Sequence, residues 1–383
     1  MKIALVRSAV HRHGGVERYV WLLARELAGR GHEVHLIARR CPELPHPSVR
    51  FHPVQVRGIF SFQKVLSFAR GAQAALAREA FDVVHSCDRI FSCDIYRAGE
   101  GVHREWLEVS ARHLPPWKRL PRRLDPLHAV LCRIERRLMA EGGARRVTAI
   151  SKRGAEEIRR HFGLKDVPVI YNGVDPEEFA PPRAGEREAI RRRIGVPGGA
   201  WAVLYVGSGF FRKGLRHLIA GFARVEEKDS LLLVSGRGTI GPYRRLAERL
   251  GAAERVRFLG MEVPAPQLYR AADAFVFPTL YEPFGNVCLE ALACGLPCVL
   301  SSMSGGAEIV TDGVDGLALR EPTDPEEIAR LIRRTREPGL AGAMGRAARA
   351  LALRFSVGAN ADATEALYRE VAAGKAAPRA EAR

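Results

Sequence analysis

Glu282 and Glu290 stand eight residues apart in the run Glu282-Pro283-Phe284-Gly285-Asn286-Val287-Cys288-Leu289-Glu290. Phe277-Pro278 closes an apolar run just before them, so Glu282 falls in a loop. Ala291-Leu292-Ala293-Cys294-Gly295 continues an apolar helix that Gly295 ends, so Glu290 is helical. A loop carboxylate and a helical carboxylate placed this way can converge on one ligand near a helix N-terminus. Gly285 and Asn286 present backbone N–H groups there, suited to hydroxyls or anionic oxygens. Taken singly, the same residues also fit two solvated glutamates around a turn.

Other residues suited to chemistry follow apolar runs as well. Gly207-Ser208-Gly209-Phe210-Phe211-Arg212-Lys213-Gly214 places adjacent cations behind a Gly-rich turn, at the start of a helix. Arg binds anions bidentately, Lys acts as a point charge, and the helix N-terminus adds partial positive charge, a set that suits a diphosphate. His13-Gly14-Gly15 either lets backbone approach a ligand closely or is only a tight strand–helix turn. Asp94-Ile95-Tyr96-Arg97-Ala98-Gly99-Glu100-Gly101-Val102-His103 reads as a Gly-rich loop after a strand, with Glu100 and His103 placed to take a hydroxyl proton or to support a ring. Gly236-Arg237-Gly238-Thr239-Ile240-Gly241 matches G-x-G-x-x-G, but in mid-domain, so it reads as a ligand-side loop or a plain turn.

The elements that must position these groups alternate strand and helix. Strands are expected at Ile3–Val6, Val34–Ala38, Asp82–His85, Thr148–Ser151 and Val167–Ile170, with helices through Val20–Leu27 and Lys152–Phe162. After the connector at Pro181-Pro182 the pattern restarts: strands at Ala202–Val206, Leu231–Val234, Val256–Leu259, Ala274–Phe277 and Pro297–Leu300, and a helix at Leu215–Phe222. Strand–turn–helix–strand units imply parallel sheets covered by helices. The expected fold is therefore α/β with two Rossmann-like doubly wound domains, 1–180 and 181–355, facing across a cleft. Residues 356–383 form a last helix around Asn360–Ala372 and a frayed tail. Ligands of such sheets bind beyond the carboxyl ends of the strands, where most of these groups lie.

At 383 residues the chain is long enough for two cores. No apolar run of about 18 residues predicts a transmembrane helix, and the short apolar run after Met1 reads as a strand and not as a signal peptide. Seven cysteines without C-x-x-C pairs suit a reducing cytosol and argue against a zinc site. The net charge of +17 favours anionic partners, or reflects high Arg usage on solvated faces. Arg104 to Arg146 interleaves Arg112, Lys118, Arg119, Arg122, Arg123, Arg133, Arg136 and Arg137 with Trp106, Trp117, Leu120 and Leu124. That mixture suits a helix on an anionic membrane surface and, equally, a solvated basic face over a core.

The Glu282–Glu290 run resembles the E-x7-E element of retaining, nucleotide-sugar-dependent glycosyltransferases of family 4, which have the GT-B fold. The resemblance covers most of the chain, from Lys2 to the last helix, and implies that this helix, within 356–383, crosses back to the first domain. It implies that Glu282 contacts the donor sugar and that Glu290 accepts hydrogen bonds from ribose hydroxyls, as an ionised carboxylate can. Arg212 and Lys213 resemble the family's basic element, drawn together here, and are implied to bind the donor diphosphate. The implied catalytic set is Glu282, Arg212, Lys213, His103 and Glu100. The implied donor-binding set is Gly14, Gly15, Gly207, Gly236, Arg237, Thr279, Leu280, Phe284, Gly285, Asn286, Val287 and Glu290. Gly305-Gly306-Ala307-Glu308 resembles a family G-G-x-x-E segment one residue short, and is given a packing role first.

The segment from Asp94 to His103 is similar to the same region of bacterial lipopolysaccharide-core glucosyltransferases. The resemblance thus implies transfer of a hexose, glucose from UDP-glucose, to a core heptose or related glycolipid, without metal or cofactor. It also implies a cytoplasmic location, peripheral on the inner face of the membrane, and an enzyme that does not bind nucleic acid. Mannosyl or other hexosyl transfer in polysaccharide synthesis is the alternative within the class. From other classes, a nucleic-acid-binding protein would suit the charge, but the chain shows no helix-turn-helix, zinc or RNA-binding signature, and a dehydrogenase would leave E-x7-E unexplained.

Overall fold

A computed structural model describes residues 1–12 and 14–376. His13 of the expected turn and the Ala/Arg-rich tail beyond 376 lie outside the described residues. By contacts the chain divides into Met1–Asn172 with the chain from Val357 onward, and Gly173–Ser356. That division falls at Asn172–Gly173, before the Pro181-Pro182 connector.

The first unit holds β1 (Lys2–Val6), β2 (Glu33–Ala38), β3 (Arg50–Pro53), β4 (Val83–Ser86), β5 (Cys93–Arg97) and β6 (Ala144–Thr148). All pair in parallel, in the order β3-β2-β1-β4-β5-β6. Its helices are α1 (Val16–Gly29), α2 (Ser61–Leu76), α3 (His103–His113), α4 (Pro116–Arg123), α5 (Pro126–Met139) and α6 (Lys152–Phe162). Successive strand residues point to opposite faces, and the core follows that alternation. Ile3, Leu5, Val34 and Leu36 pack under α1, whereas Ala4, Val6 and Ile37 join the layer of Phe68, Ile134 and Ile158 from α2, α5 and α6.

The second unit repeats the plan with β7 (Trp201–Val206), β8 (Ser230–Ser235), β9 (Val256–Gly260), β10 (Ala274–Phe277), β11 (Cys298–Ser301) and β12 (Leu317–Leu319). Their parallel order is β12-β11-β10-β7-β8-β9, the same topology as the first sheet. Its helices are α7 (Glu186–Arg193), α8 (Leu215–Phe222), α9 (Gly241–Arg249), α10 (Ala265–Ala271), α11 (Asn286–Ala293), α12 (Pro325–Arg334) and α13 (Leu340–Leu353). The last helix, α14 (Val357–Ala376), belongs to the first unit. It packs on α1, contributing Val357, Ala361, Leu367, Tyr368 and Val371 to that core.

Several local expectations are corrected. Asp94 to Arg97 is not loop but the buried strand β5. Its charges make it read as polar, but each is paired in the fold and so can be buried: Asp94 with Lys375 at 2.8 Å and Arg145 at 3.2 Å, and Arg97 with Asn172 and, at 3.6 Å, the Tyr19 ring. Val167–Ile170 makes only an isolated bridge, Val169 with Ala149. Thr148 ends β6 and Ser151 caps α6, its hydroxyl accepting from Gly154 N at 3.0 Å. The basic segment is α3, α4 and α5, with Pro116 and Pro126 each opening a helix, not one continuous helix.

Tyr368 seals the last helix to the sheet: its hydroxyl lies 2.6 Å from His85 Nδ1, and both side chains are buried. Burial, and then Arg97, push the His85 pKa down to about 3, so the ring is neutral and relies on this bond. Tyr368→Phe is expected to lower stability by about 1–3 kcal/mol by orphaning a buried imidazole nitrogen, measured as a shift in the urea-unfolding midpoint.

Candidate active site

In a sheet of this order the connections from the first and fourth strands leave in opposite directions, opening a crevice at the strand ends. In the second unit those strands are β7 and β10, and the chain leaving them carries Arg212-Lys213 and Glu282. Glu282 Oε2 lies 3.2 Å from Arg212 Nη1 and 3.6 Å from Lys213 Nζ. That oxygen is buried and has no hydrogen-bond partner among the described residues, so it can still accept a hydroxyl proton. Two cations against one carboxylate leave a net positive site.

The loops are stitched together to hold this geometry. Arg212 donates to Tyr281 O at 3.2 Å, and its own carbonyl accepts from Leu280 N at 2.9 Å and Thr279 Oγ1 at 3.1 Å. Lys213 Nζ stands 5.3 Å over the Phe277 ring. Gly214 makes the close approach possible: at φ +72° an added Cβ would lie 1.8 Å from Pro278 O. Behind Glu282, Ser304 Oγ and Gly306 N both donate to Phe284 O at 2.7 Å, and Gly305 N donates to Glu282 O at 3.0 Å. The Gly305-Gly306 segment therefore splints the Glu282 loop.

Glu290 lies on α11, which Gly285 precedes at φ +90°. Its Oε2 accepts from the Tyr269 hydroxyl at 2.9 Å. Burial, then the Glu290 charge, push the Tyr269 pKa well up, so this phenol stays a donor. Tyr269 was missed in the sequence because it sits on the buried face of α10, where an aromatic reads as core. Thr279, Leu280 and Phe284 are fully buried and offer no surface to a ligand; they build the loop instead of flanking a base. Gly236, at φ +146°, packs its Cα against Gly207 O, where a Cβ would come within 2.2 Å, so this G-x-G-x-x-G is first a contact between two turns. Arg237 is exposed beside it, its backbone N–H on Ser208 Oγ at 3.0 Å. Asn286 and Val287 are half-buried at the start of α11.

The first unit concentrates charge at its own crevice, beyond β1 and β4. Glu100 accepts from Arg7 Nη1 at 2.8 Å and bridges to Arg89. Arg7 also reaches Glu17 at 2.8 Å in the first turn of α1, just past the exposed Gly14-Gly15. Arg89 Nε donates to the buried Glu135 at 2.9 Å, and Glu135 takes the His103 N–H at 3.0 Å. His103 opens α3 and is not in a loop; its Nε2 lies 2.9 Å from His128 Nδ1. Burial, Arg89 and His128 push the His103 pKa down to about 4, so the ring is neutral near pH 7. Burial would raise the Glu100 pKa, but Arg89 and Arg7 outweigh it and pull it to about 2. That makes Glu100 a clamped anion and a weak acceptor for a hydroxyl proton, unlike the expected base. Arg7, Arg89, Glu135 and His128 were not singled out in the sequence, where each is an isolated polar residue in or beside an apolar run.

Residues 13–178 match the family description Glycosyltransferase Family 4, and residues 186–350 match Glycosyl transferases group 1. The D-inositol 3-phosphate glycosyltransferase of Geodermatophilus obscurus is 32% identical, over 84% of this chain and 77% of its own. The lipopolysaccharide glucosyltransferase WaaG of Escherichia coli is 24% identical, over 84% of this chain and 86% of its own. A crystal structure of WaaG, a glycosyltransferase involved in lipopolysaccharide biosynthesis, is similar in fold with a TM-score of 0.82 at 22% identity, over 96% of this chain and 99% of that one.

The clamp on Glu100 makes a pH signature. Its folded pKa is depressed from an ordinary 4.5 to about 2, so its contribution is present above 4.5 and is lost as pH falls toward 2. Glu100→Gln is expected to lower the melting temperature at pH 7, with the gap to the parent chain closing below pH ~4.5, read by thermal scans across pH.

Proposed function

The chain belongs to the group 1 glycosyltransferases of family 4, with the GT-B fold, and on that footing we propose that it transfers glucose from UDP-glucose to a lipopolysaccharide-core heptose or a related glycolipid. The observation that carries the reading is Glu282 Oε2, buried between Arg212 and Lys213 and without a hydrogen-bond partner among the described residues. In the proposed reaction Glu282 takes a hydroxyl of the donor sugar, and Glu290, steadied by Tyr269, takes the ribose. Arg212 and Lys213 hold the diphosphate, helped by the backbone N–H groups of Gly285 and Asn286.

We take the configuration to be retained, by attack from the leaving-group face. The acceptor oxygen bonds to the anomeric carbon as the bond from that carbon to the diphosphate oxygen breaks, and the departing diphosphate takes the acceptor proton. The two cations stabilise charge as it develops, which is the work a metal would otherwise do. In the first unit, neutral His103 is placed to hydrogen-bond a sugar, and Glu100 to keep Arg7 and Arg89 in position. WaaG of Escherichia coli is named a lipopolysaccharide glucosyltransferase, which supports this acceptor class. The 32%-identical relative, named for D-inositol 3-phosphate, favours a phosphorylated cyclitol as the second reading.

Nucleotide release from UDP-, GDP- and ADP-sugars separates these readings when measured with heptosylated lipid A, with inositol phosphate, and with neither. UDP release from UDP-glucose that depends on the lipid is expected, with Glu290→Ala inactive and Arg212→Ala slower by about 10²–10³-fold in kcat. Release that depends on inositol phosphate would move the acceptor. Release from GDP- or ADP-sugars alone would discard the glucosyl assignment, and silence across the panel would reject the proposal.

We also propose that α3 to α5 dock on an anionic leaflet. No helix among the described residues is long and apolar enough to cross a membrane. Trp117 is 74% exposed and Leu124 71%, beside exposed Lys118 and Arg119. Apolar anchors set among cations suit a lipid surface. Charge reversal at Arg119, Arg122 and Arg123 is expected to weaken flotation with phosphatidylglycerol vesicles; unchanged flotation would reject docking.

A further inference from the structure

The first sheet carries another cluster near the starts of its strands, away from the Arg7–Glu100–Arg89 chain. His35 on β2 and His52 on the edge strand β3 stack with ring centroids 4.9 Å apart and 14° between planes. His35 Nδ1 lies 2.8 Å from His52 Nε2 and 3.6 Å from Oε2 of Glu79, which follows α2. One donor atom from each of these residues lies within 4.8 Å of the others. His35 is fully buried, and His52 and Glu79 are half-buried. Glu79 Oε2 is buried and, apart from its ion pair with Lys2 Nζ at 2.8 Å, has no hydrogen-bond partner among the described residues.

The orientation of His35 is set from behind. Glu33 Oε1 lies 3.0 Å from its Nε2. A carboxylate there keeps the proton on Nε2 and leaves Nδ1 as a lone pair facing His52 and Glu79. Carboxylates stand behind metal-bound imidazoles in this same way, fixing tautomer and ring angle. Two imidazole nitrogens and one carboxylate oxygen are the donors that zinc and its neighbours take, with water to complete the shell.

We propose that His35, His52 and Glu79 form a site for a divalent transition metal of the zinc type, which ties β3 and the chain leaving α2 to the sheet. Its role is structural, since it stands apart from the groups assigned to transfer. Nitrogens bound at about 2.0–2.1 Å in a tetrahedral shell stand ~3.3 Å apart, so the imidazoles need to part only slightly. Lys2 is the competitor, because it holds Glu79 with its own charge. From that same position its Nζ also stands 5.5 Å over the Phe81 ring, so the cation has an aromatic neighbour besides Glu79. Cysteine spacing argued against zinc, but these ligands are His and Glu, brought together from two strands and a loop.

The test uses the full chain, treated with chelator and titrated with Zn²⁺ by calorimetry and with Co²⁺ for its visible absorption. One tight equivalent is expected, with a rise in melting temperature and the intense d–d bands of low-coordinate Co²⁺. His52→Ala should abolish it, and Glu33→Gln should weaken it by about 10- to 100-fold. Lys2→Ala should tighten it, a gain that misfolding cannot produce and that keeps the test decisive if His52→Ala fails to fold. Absence of a tight equivalent, uptake unchanged in folded His52→Ala, or no gain in Lys2→Ala would overturn the proposal. So would loss of binding on Glu108→Gln, which would place the ion at the other cluster, Glu105, Glu108 and His161.

Discussion

Parallel pairing in a fixed strand order is the constraint on which both units depend. When the first and fourth strands lie side by side, the chains leaving them turn apart, and the gap exposes backbone and polar groups that the rest of the sheet must cover. Both sheets adopt this order. Each puts its charged residues into that gap: Arg212, Lys213 and Glu282 beyond β7 and β10, and Arg7, Asp88 and Arg89 beyond β1 and β4. The four strands that flank the two gaps, β1, β4, β7 and β10, are mostly buried, so these polar groups stand on a packed base.

The two crevices handle charge differently. In the second unit a single carboxylate faces two cations, and the unbalanced positive charge suits it to an anionic ligand. In the first unit acids and guanidinium groups alternate from Glu17 through Arg7, Glu100 and Arg89 to Glu135. Burying such groups costs desolvation that only mutual pairing offsets, so removing one member leaves a neighbour uncompensated. The depressed pKa of Glu100 follows from that pairing, which makes this residue a means of fixing two arginines more than a titrating catalyst.

Glycine and backbone contacts decide how close the loops can come. Gly214 lets the Arg212-Lys213 turn lie against Pro278, and the Ser304 to Gly306 segment grips Phe284 and Glu282 through backbone atoms. The functional side chains are thus few, and much of the site is scaffold. Thr279, Leu280 and Phe284 belong to that scaffold although they lie next to Glu282 in the sequence.

The sequence by itself determined the class of fold, the helices α6 and α8 and the strand β10 to the residue, and singled out Arg212, Lys213 and Glu282 in turns after strands, while their contact with one another came from the fold. Those features are local: apolar periodicity, turn glycines and caps act within a few residues, and a motif after a strand inherits its place from the sheet. Only the tertiary structure decided that Asp94 and Arg97 lie in a buried strand, that Tyr269 supports Glu290, and that Arg7, Arg89 and Glu135 surround Glu100. The resemblance led the last helix to be expected on the first domain, but only the structure paired its Tyr368 with His85, 283 residues away. A buried charge is legible only through its partner, and pairings at long sequence separation leave no period or spacing in the chain that makes them.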